Sequence, residues 1–171
     1  ISITSDVHET SQVDKLAGLL DVIQIPAFLC RQTDLIKSAA QTKKIVNVKK
    51  GQFLSHKEVS NIIKKIENEN NKKILITERG NSFGYNYLIN DFKGIHFMKE
   101  FGYPIIFDST HSVQLPGGLG KKSGGAREYV VPLSKAASSL RIAGFFIETH
   151  PNPEKALSDG PNMIYLHKMP K

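Results

Sequence analysis

The sequence predicts an α/β fold with a parallel sheet, of the TIM-type (β/α)8 barrel kind, on three observations. Short apolar runs recur along the chain, with strand starts near Ile3, Val22, Ile45, Ile74, Ile105 and Phe145. The intervals between these starts run from 19 to 40 residues, each with room for one crossover helix. Every run stops in charged or amide side chains, at the strand ends where barrels keep their chemistry. A Rossmann-type sheet would gather such groups at one switch point, and no Gly-x-Gly-x-x-Gly follows the first run. Six of a barrel's eight strands are visible. The expectation is a single barrel domain over 1–171, incomplete at both ends and lacking its first two βα units.

The elements follow in order. Ile1–Ser5 runs into Asp6-Val7-His8-Glu9. Ser11–Leu20 reads as a helix, with Ser11 as N-cap and Leu16, Leu19 and Leu20 apolar. Asp21–Ile23 runs into Gln24-Ile25-Pro26, and a helix is expected over Thr33–Thr42, with Asp34 near its positive end. Lys44–Val46 leads to Asn47-Val48-Lys49-Lys50. Ser55 and Glu58 then form a capping box before the stripe Val59, Ile62, Ile63, Ile66. Glu67–Lys73 reads as an Asn-rich surface turn. Ile74–Thr77 runs into Glu78-Arg79-Gly80, and Asp91–Phe101 is a helix stopped by Gly102 and Pro104. Ile105–Phe107 ends in Asp108-Ser109-Thr110-His111. Val130–Leu140 is the next helix, Ala143–Ile147 ends in Glu148-Thr149-His150, and Asn152–Ala156 opens a short last one.

Composition narrows the classes. The 171 residues, 40% hydrophobic and 23% charged, fit one soluble globular domain. No apolar run approaches the roughly 20 residues that span a bilayer, so no membrane partner is expected. Ile1-Ser2-Ile3-Thr4 lacks a signal-peptide layout. A single Cys30 excludes an internal disulfide and fits a reducing cytoplasm; it reads as an apolar filler with no His partner nearby. The net charge of +7 admits a nucleic-acid surface or a site for small anions with solvated lysines such as Lys64, Lys65, Lys72 and Lys73. No RNP, zinc-finger or basic-heptad pattern supports the first, and no nucleic-acid partner is expected.

Three constellations carry chemistry. His111, Glu148 and Asp159 are metal-capable and lie at or just beyond strand ends. A His with two carboxylates suits a divalent ion such as Mn, Fe or Zn, against the plainer reading of hydrogen-bonded strand-end groups. Lys49, Lys50, Gln52 and Arg79 make an anion clamp, against a solvated Lys-Lys pair with Arg79 bridging Glu78. The Gly-rich basic stretch Pro116–Arg127 reads as a lid over an anionic substrate or as a plain surface loop; it does not match the P-loop pattern. His56, His96 and His167 read as ordinary surface or packed residues.

Several of these stretches together resemble the 3-deoxy-D-manno-octulosonate 8-phosphate synthases. They are Asp21–Leu35, Asn47–Phe53, Glu78–Tyr85, Phe107–His111 and Glu148–Glu154. The His-Pro-x-Pro-Glu and Ser-Asp-Gly-Pro segments are shared with the 3-deoxy-D-arabino-heptulosonate 7-phosphate synthases, while Gln24–Gln32 argues for the octulosonate enzymes. The resemblance implies a transferase of lipopolysaccharide biosynthesis, a cytoplasmic homotetramer that condenses phosphoenolpyruvate with arabinose 5-phosphate. It implies that Lys49 and Arg79 bind phosphoenolpyruvate, with Gln24 and Gln52 nearby. Arg31 would reach the sugar phosphate across a subunit boundary, and Asp6 and His8 would line the pocket. Lys49, Asp108, His111 and Asp159 would serve catalysis. His111, Glu148 and Asp159 match metal ligands of the metal-dependent members, and the same three residue types occur in the metal-independent ones.

Overall fold

The computed structural model describes residues 1–83, 87–116 and 124–169. It forms two compact units, one of Ile1–Glu78 with Lys93–Ile105 and one of Arg79–Phe92 with Ile106–Lys171.

In the first unit strand and helix alternate: β1 (Thr4–Asp6), α1 (Thr10–Leu16), β2 (Val22–Ile25), α2 (Thr33–Gln41), β3 (Ile45–Lys49), α3 (Val59–Glu67), β4 (Ile74–Glu78) and α4 (Phe92–Lys99). β1 to β4 pair in sequence order, all parallel, with Asp6 opposite Gln24, Gln24 opposite Asn47, and Lys49 opposite Thr77. Ile23, Ile25, Val46, Val48, Ile74 and Ile76 are all buried, as a sheet covered on both faces requires. α2 buries Leu35, Ile36, Ala39 and Ala40, and α3 buries Val59, Ile62, Ile63 and Ile66, each a stripe at helical spacing. The Ser55–Glu58 capping box is present and leads through a single 3₁₀ turn, His56–Glu58, into α3.

Three expectations are corrected in this unit. α1 starts at Thr10 and stops at Leu16, so Ser11 lies inside its first turn and donates to Glu9 instead of capping. The helix unwinds at Ala17-Gly18, where glycine disfavours continuation, and leaves Leu19 exposed. Asn71 is buried rather than part of a surface turn. Its Nδ2 donates to the carbonyls of Ala40 and Lys44, and its Oδ1 accepts from Lys73 N. The strands also run further than their apolar cores, because parallel ladder bonds such as Lys50 N to Thr77 O at 2.8 Å continue through the polar residues.

In the second unit β5 (Ile105–Asp108) pairs in parallel with β6 (Gly144–Phe146), with Phe146 opposite Asp108; α5 (Val130–Ser138) lies between them in sequence. Three two-residue ladders complete it: Asn81–Ser82 with Leu88–Ile89, Gln114–Leu115 with Gly124–Gly125, and Thr149–His150 with Ile164–Tyr165. The expected last helix is one 3₁₀ turn, Pro153–Lys155. Residues 117–123 of the Gly-rich stretch, and Gly84 and Tyr85 of the Glu78–Tyr85 motif, lie outside the described residues. The fold class is α/β of the TIM-type (β/α)8 barrel kind, with six of its strands in this chain. Among the described residues no helix is long and apolar enough to cross a membrane.

Candidate active site

The end of β5 builds the best-defined site. Asp108 is fully buried and divides its two carboxylate oxygens. Oδ1 accepts from the backbone N of His111 at 2.9 Å, and Oδ2 lies 2.8 Å from His111 Nδ1. A carboxylate only accepts, so Nδ1 donates and the Nε2 edge of the ring is left for the far side. Nε2 lies 3.5 Å from Glu148 Oε1. Glu148 is held in turn, since its backbone N donates to Thr110 Oγ1 at 3.1 Å. The Phe146 ring stands 5.9 Å from the imidazole, centroid to centroid.

Asp159 enters from a turn in the left-handed region, at φ +53°. Its Oδ1 accepts from Gln114 Nε2 at 2.6 Å, and Gln114 Oε1 accepts from Arg79 Nη2 at 2.7 Å. One amide therefore joins a carboxylate to a guanidinium. Potential ligand atoms of His111, Glu148 and Asp159 all lie within 4.8 Å of one another. One imidazole nitrogen and two carboxylates suit a borderline divalent ion, and the buried Asp108 behind Nδ1 is the support that metal-ligating histidines have. The residues fit such an ion.

Beside Asp159 a cavity of about 610 Å³ is lined in part by Gln114, Arg127, Glu154 and Gly160. Arg127 donates through Nη2 to Gly160 O at 2.7 Å and lies 4.7 Å above the Tyr165 ring. The Tyr165 hydroxyl donates to Glu154, and with Arg127 it holds the Glu154 carboxyl below the usual range.

In the first unit a polar row crosses the sheet. Thr77 Oγ1 donates to Asn47 Oδ1 at 2.7 Å, Asn47 Nδ2 to Gln24 Oε1 at 2.8 Å, and Gln24 Nε2 to Asp6 Oδ1 at 2.7 Å. Lys49 and Gln52 are buried as well. Lys50 corrects the solvated-pair reading: it is 1% exposed, with Nζ 3.4 Å from Glu78 Oε2, and it donates to the carbonyls of Gly51 and Leu54. Glu78 is thus engaged by Lys50, and Arg79 donates to Gln114. His8 and Arg31 are exposed. Lys49 belongs to the first unit and Arg79 to the second. Cys30 is buried, and burial pushes its thiol up, in keeping with a filler. His56 packs on Phe97, and His96 and His167 are exposed.

The structure brings the metal-capable trio within reach of one another, while sequence reasoning passed over Gln114, Thr110, Asn47 and Thr77. Asn47 had a signal, an amide inside the apolar run Ile45–Val48, which a buried strand tolerates only with partners. Gln114 had none beyond standing three residues after His111.

Residues 1–171, the whole chain, match the DAHP synthetase I family. Curated relatives named 2-dehydro-3-deoxyphosphooctonate aldolase are similar across nearly all of the chain. A Cyanothece protein is 53% identical over 169 residues, 99% of this chain and 62% of its own length. Proteins from Geobacter and Chelativorans species are each 54% identical over 170 residues, with the same two shares. The chain spans 62% of the length of these relatives. With its full length matched, the chain belongs to the DAHP synthetase I family.

Proposed function

We propose that this chain carries a large part of the active site of a 2-dehydro-3-deoxyphosphooctonate aldolase, the enzyme also called 3-deoxy-D-manno-octulosonate 8-phosphate synthase. It condenses phosphoenolpyruvate, arabinose 5-phosphate and water to the eight-carbon sugar acid phosphate and free phosphate, for lipopolysaccharide biosynthesis in the cytoplasm. The observation that carries this reading is identity of 53–54% across 99% of the chain with relatives of that name.

The third carbon of phosphoenolpyruvate attacks the sugar aldehyde, water adds to the second carbon, and phosphate leaves with the electrons of its bond to that carbon. Lys49 and Arg79 hold the anionic groups of phosphoenolpyruvate, with Gln24 and Gln52 beside them and Asp6 and His8 lining the pocket. The Gln114 amide keeps the Arg79 guanidinium in place. Arg31 takes the sugar phosphate in its planar fork, from a neighbouring copy in a homotetramer. His111, Glu148 and Asp159 hold one divalent ion, with Asp108 fixing the His111 tautomer. The ion, when bound, polarises an oxygen as a Lewis acid. Where no ion is used, the Nε2 edge of His111 and the Asp159 carboxylate would orient the incoming water instead, and half-burial of the trio limits access of bulk solvent.

The test is phosphate release by the intact protein with arabinose 5-phosphate against erythrose 4-phosphate. The five-carbon sugar should be far faster, because a misplacement near 1 Å costs roughly 100-fold. Arg31→Ala should lose most of that preference. The family description favours a second reading, the heptulosonate 7-phosphate synthase, and erythrose 4-phosphate as the better substrate would establish it. The contrasting class for a net charge of +7 is a nucleic-acid-binding domain, so salt-sensitive oligonucleotide binding with no thermal protection by phosphoenolpyruvate would overturn both.

A further inference from the structure

Asn162 is 1% exposed, and neither its Nδ2 nor its Oδ1 has a hydrogen-bond partner among the described residues. A buried amide with no partner is unfavourable, so its place calls for a reason. Three contacts supply one. The backbone N of Asn162 donates to Asp159 O at 2.9 Å, so the residue closes the left-handed turn that presents Asp159. Its side chain fills the space above Gly125, where an added Cβ would lie 1.4 Å from Oδ1. Gly125 in turn pairs with Gln114, whose Nε2 donates to Asp159. The path closes on itself: Asp159, its turn, Asn162, Gly125, Gln114, and Asp159 again. Arg127, two residues past Gly125, grips the same turn through Gly160 O.

We propose that Asn162 is a positioning residue for Asp159. Its side chain is a wedge that sets the turn against the Gly125 backbone, at the height where the carboxylate meets the Gln114 amide. It acts by shape: a side chain at position 125 would displace it, and it holds its place with no hydrogen bond from the described residues. The consequence for metal binding rests on the reading of His111, Glu148 and Asp159 as a metal site.

The experiment uses the intact protein, with Mn²⁺ affinity by calorimetry and hydrogen exchange at the Asn162 and Met163 amides, both of which donate to Asp159 O. Gly125→Ala drives a methyl into the wedge and should speed exchange and weaken Mn²⁺ binding by about tenfold or more, as loss of a supporting group does. Gly125→Ala with Asn162→Gly returns the space to the methyl and should restore both toward wild type. Asn162→Ser, which empties the wedge and adds nothing, should loosen both without threatening the fold. If Gly125→Ala does not fold while the pair variant does, that is the same rescue. Wild-type exchange and affinity in both single variants, or a pair variant no better than Gly125→Ala, overturns the wedge. If wild type and His111→Ala bind Mn²⁺ alike, the metal reading has failed, and exchange alone decides the wedge.

Discussion

Arg79 is 5% exposed, and an arginine so placed must be held by acceptors or it does not stay. Gln114 is one such acceptor, and the opposite end of the same amide holds Asp159. This sharing ties the guanidinium to the loop that carries Asp159. Arg79→Ala should therefore weaken phosphoenolpyruvate binding by about 2–4 kcal/mol, the cost of truncating one partner of a desolvated charged contact. Lys64→Ala, on the exposed side of α3, should leave it unchanged. Equal affinities of the two variants by calorimetry would remove Arg79 from the binding site. The strand-end positions of Arg79, Lys49, His111 and Glu148 were legible because charged side chains ending apolar runs stand out against hydrophobic neighbours. Gln114 and Asn162 were not legible, because a polar residue in a loop looks solvated until the fold brings a partner to it or buries it.

At the scale of elements, Lys50 and Glu78 pin the ends of β3 and β4, each 1% exposed. Lys50 itself donates a ladder bond to Thr77 O and Glu78 is the last residue of β4, so the pair sits where strand ends would otherwise fray. Removing one member takes the counter-ion from a buried charge, which costs about 3–5 kcal/mol, whereas replacing both with apolar residues of similar size costs little. Glu78→Leu should thus be strongly destabilising in urea unfolding of the intact protein, and Lys50→Met with Glu78→Leu should recover most of the loss. A single variant as stable as wild type would show that the pair bears no structural weight. A second link, from the Tyr103 hydroxyl to Glu67 Oε1 at 2.6 Å, joins the end of α3 to the turn after α4. The Glu67 carboxylate, aided by burial, pushes the Tyr103 hydroxyl up to about 12. A raised value means that the protonated hydroxyl is the one the fold favours. Its contribution is complete below the ordinary tyrosine value near 10 and is lost as pH rises through about 12. Wild type should exceed Tyr103→Phe in stability at neutral pH and lose that margin over this alkaline window. A margin that does not change with pH would separate the pKa from the contact. Strand and helix order was readable from periodicity, and α3 even from its capping box. The C-terminal ends of the first unit's strands moved by one to three residues because ladder bonds, which hydropathy does not register, carry them on into polar residues, whereas the strand expected over Ala143–Ile147 is the shorter Gly144–Phe146.

Across the whole molecule, strand–helix alternation was legible because it needs only patterning, and the +7 charge belongs with a protein proposed to take two phosphorylated substrates. The division into two units was not legible, since contact density depends on pairings far apart in sequence. Nor was the polar row across β1 to β4, although its chemistry is simple once seen. Every donor in that row points the same way, from Thr77 through Asn47 and Gln24 to Asp6. The three inner groups are buried, while Asp6 at the rim is exposed. Each amide could serve as well turned over, since it carries a donor at one end and an acceptor at the other. Only the carboxylate cannot reverse, so a single anion at the edge gives the whole row its direction, as one fixed arrow orders a queue of compass needles. With Asp6→Asn the queue would lose its arrow. Gln24 and Asn47 would then have two arrangements of similar energy, and their side-chain amide resonances should double or broaden while the fold stays intact. A single sharp set in that variant would mean that something other than Asp6 holds the direction.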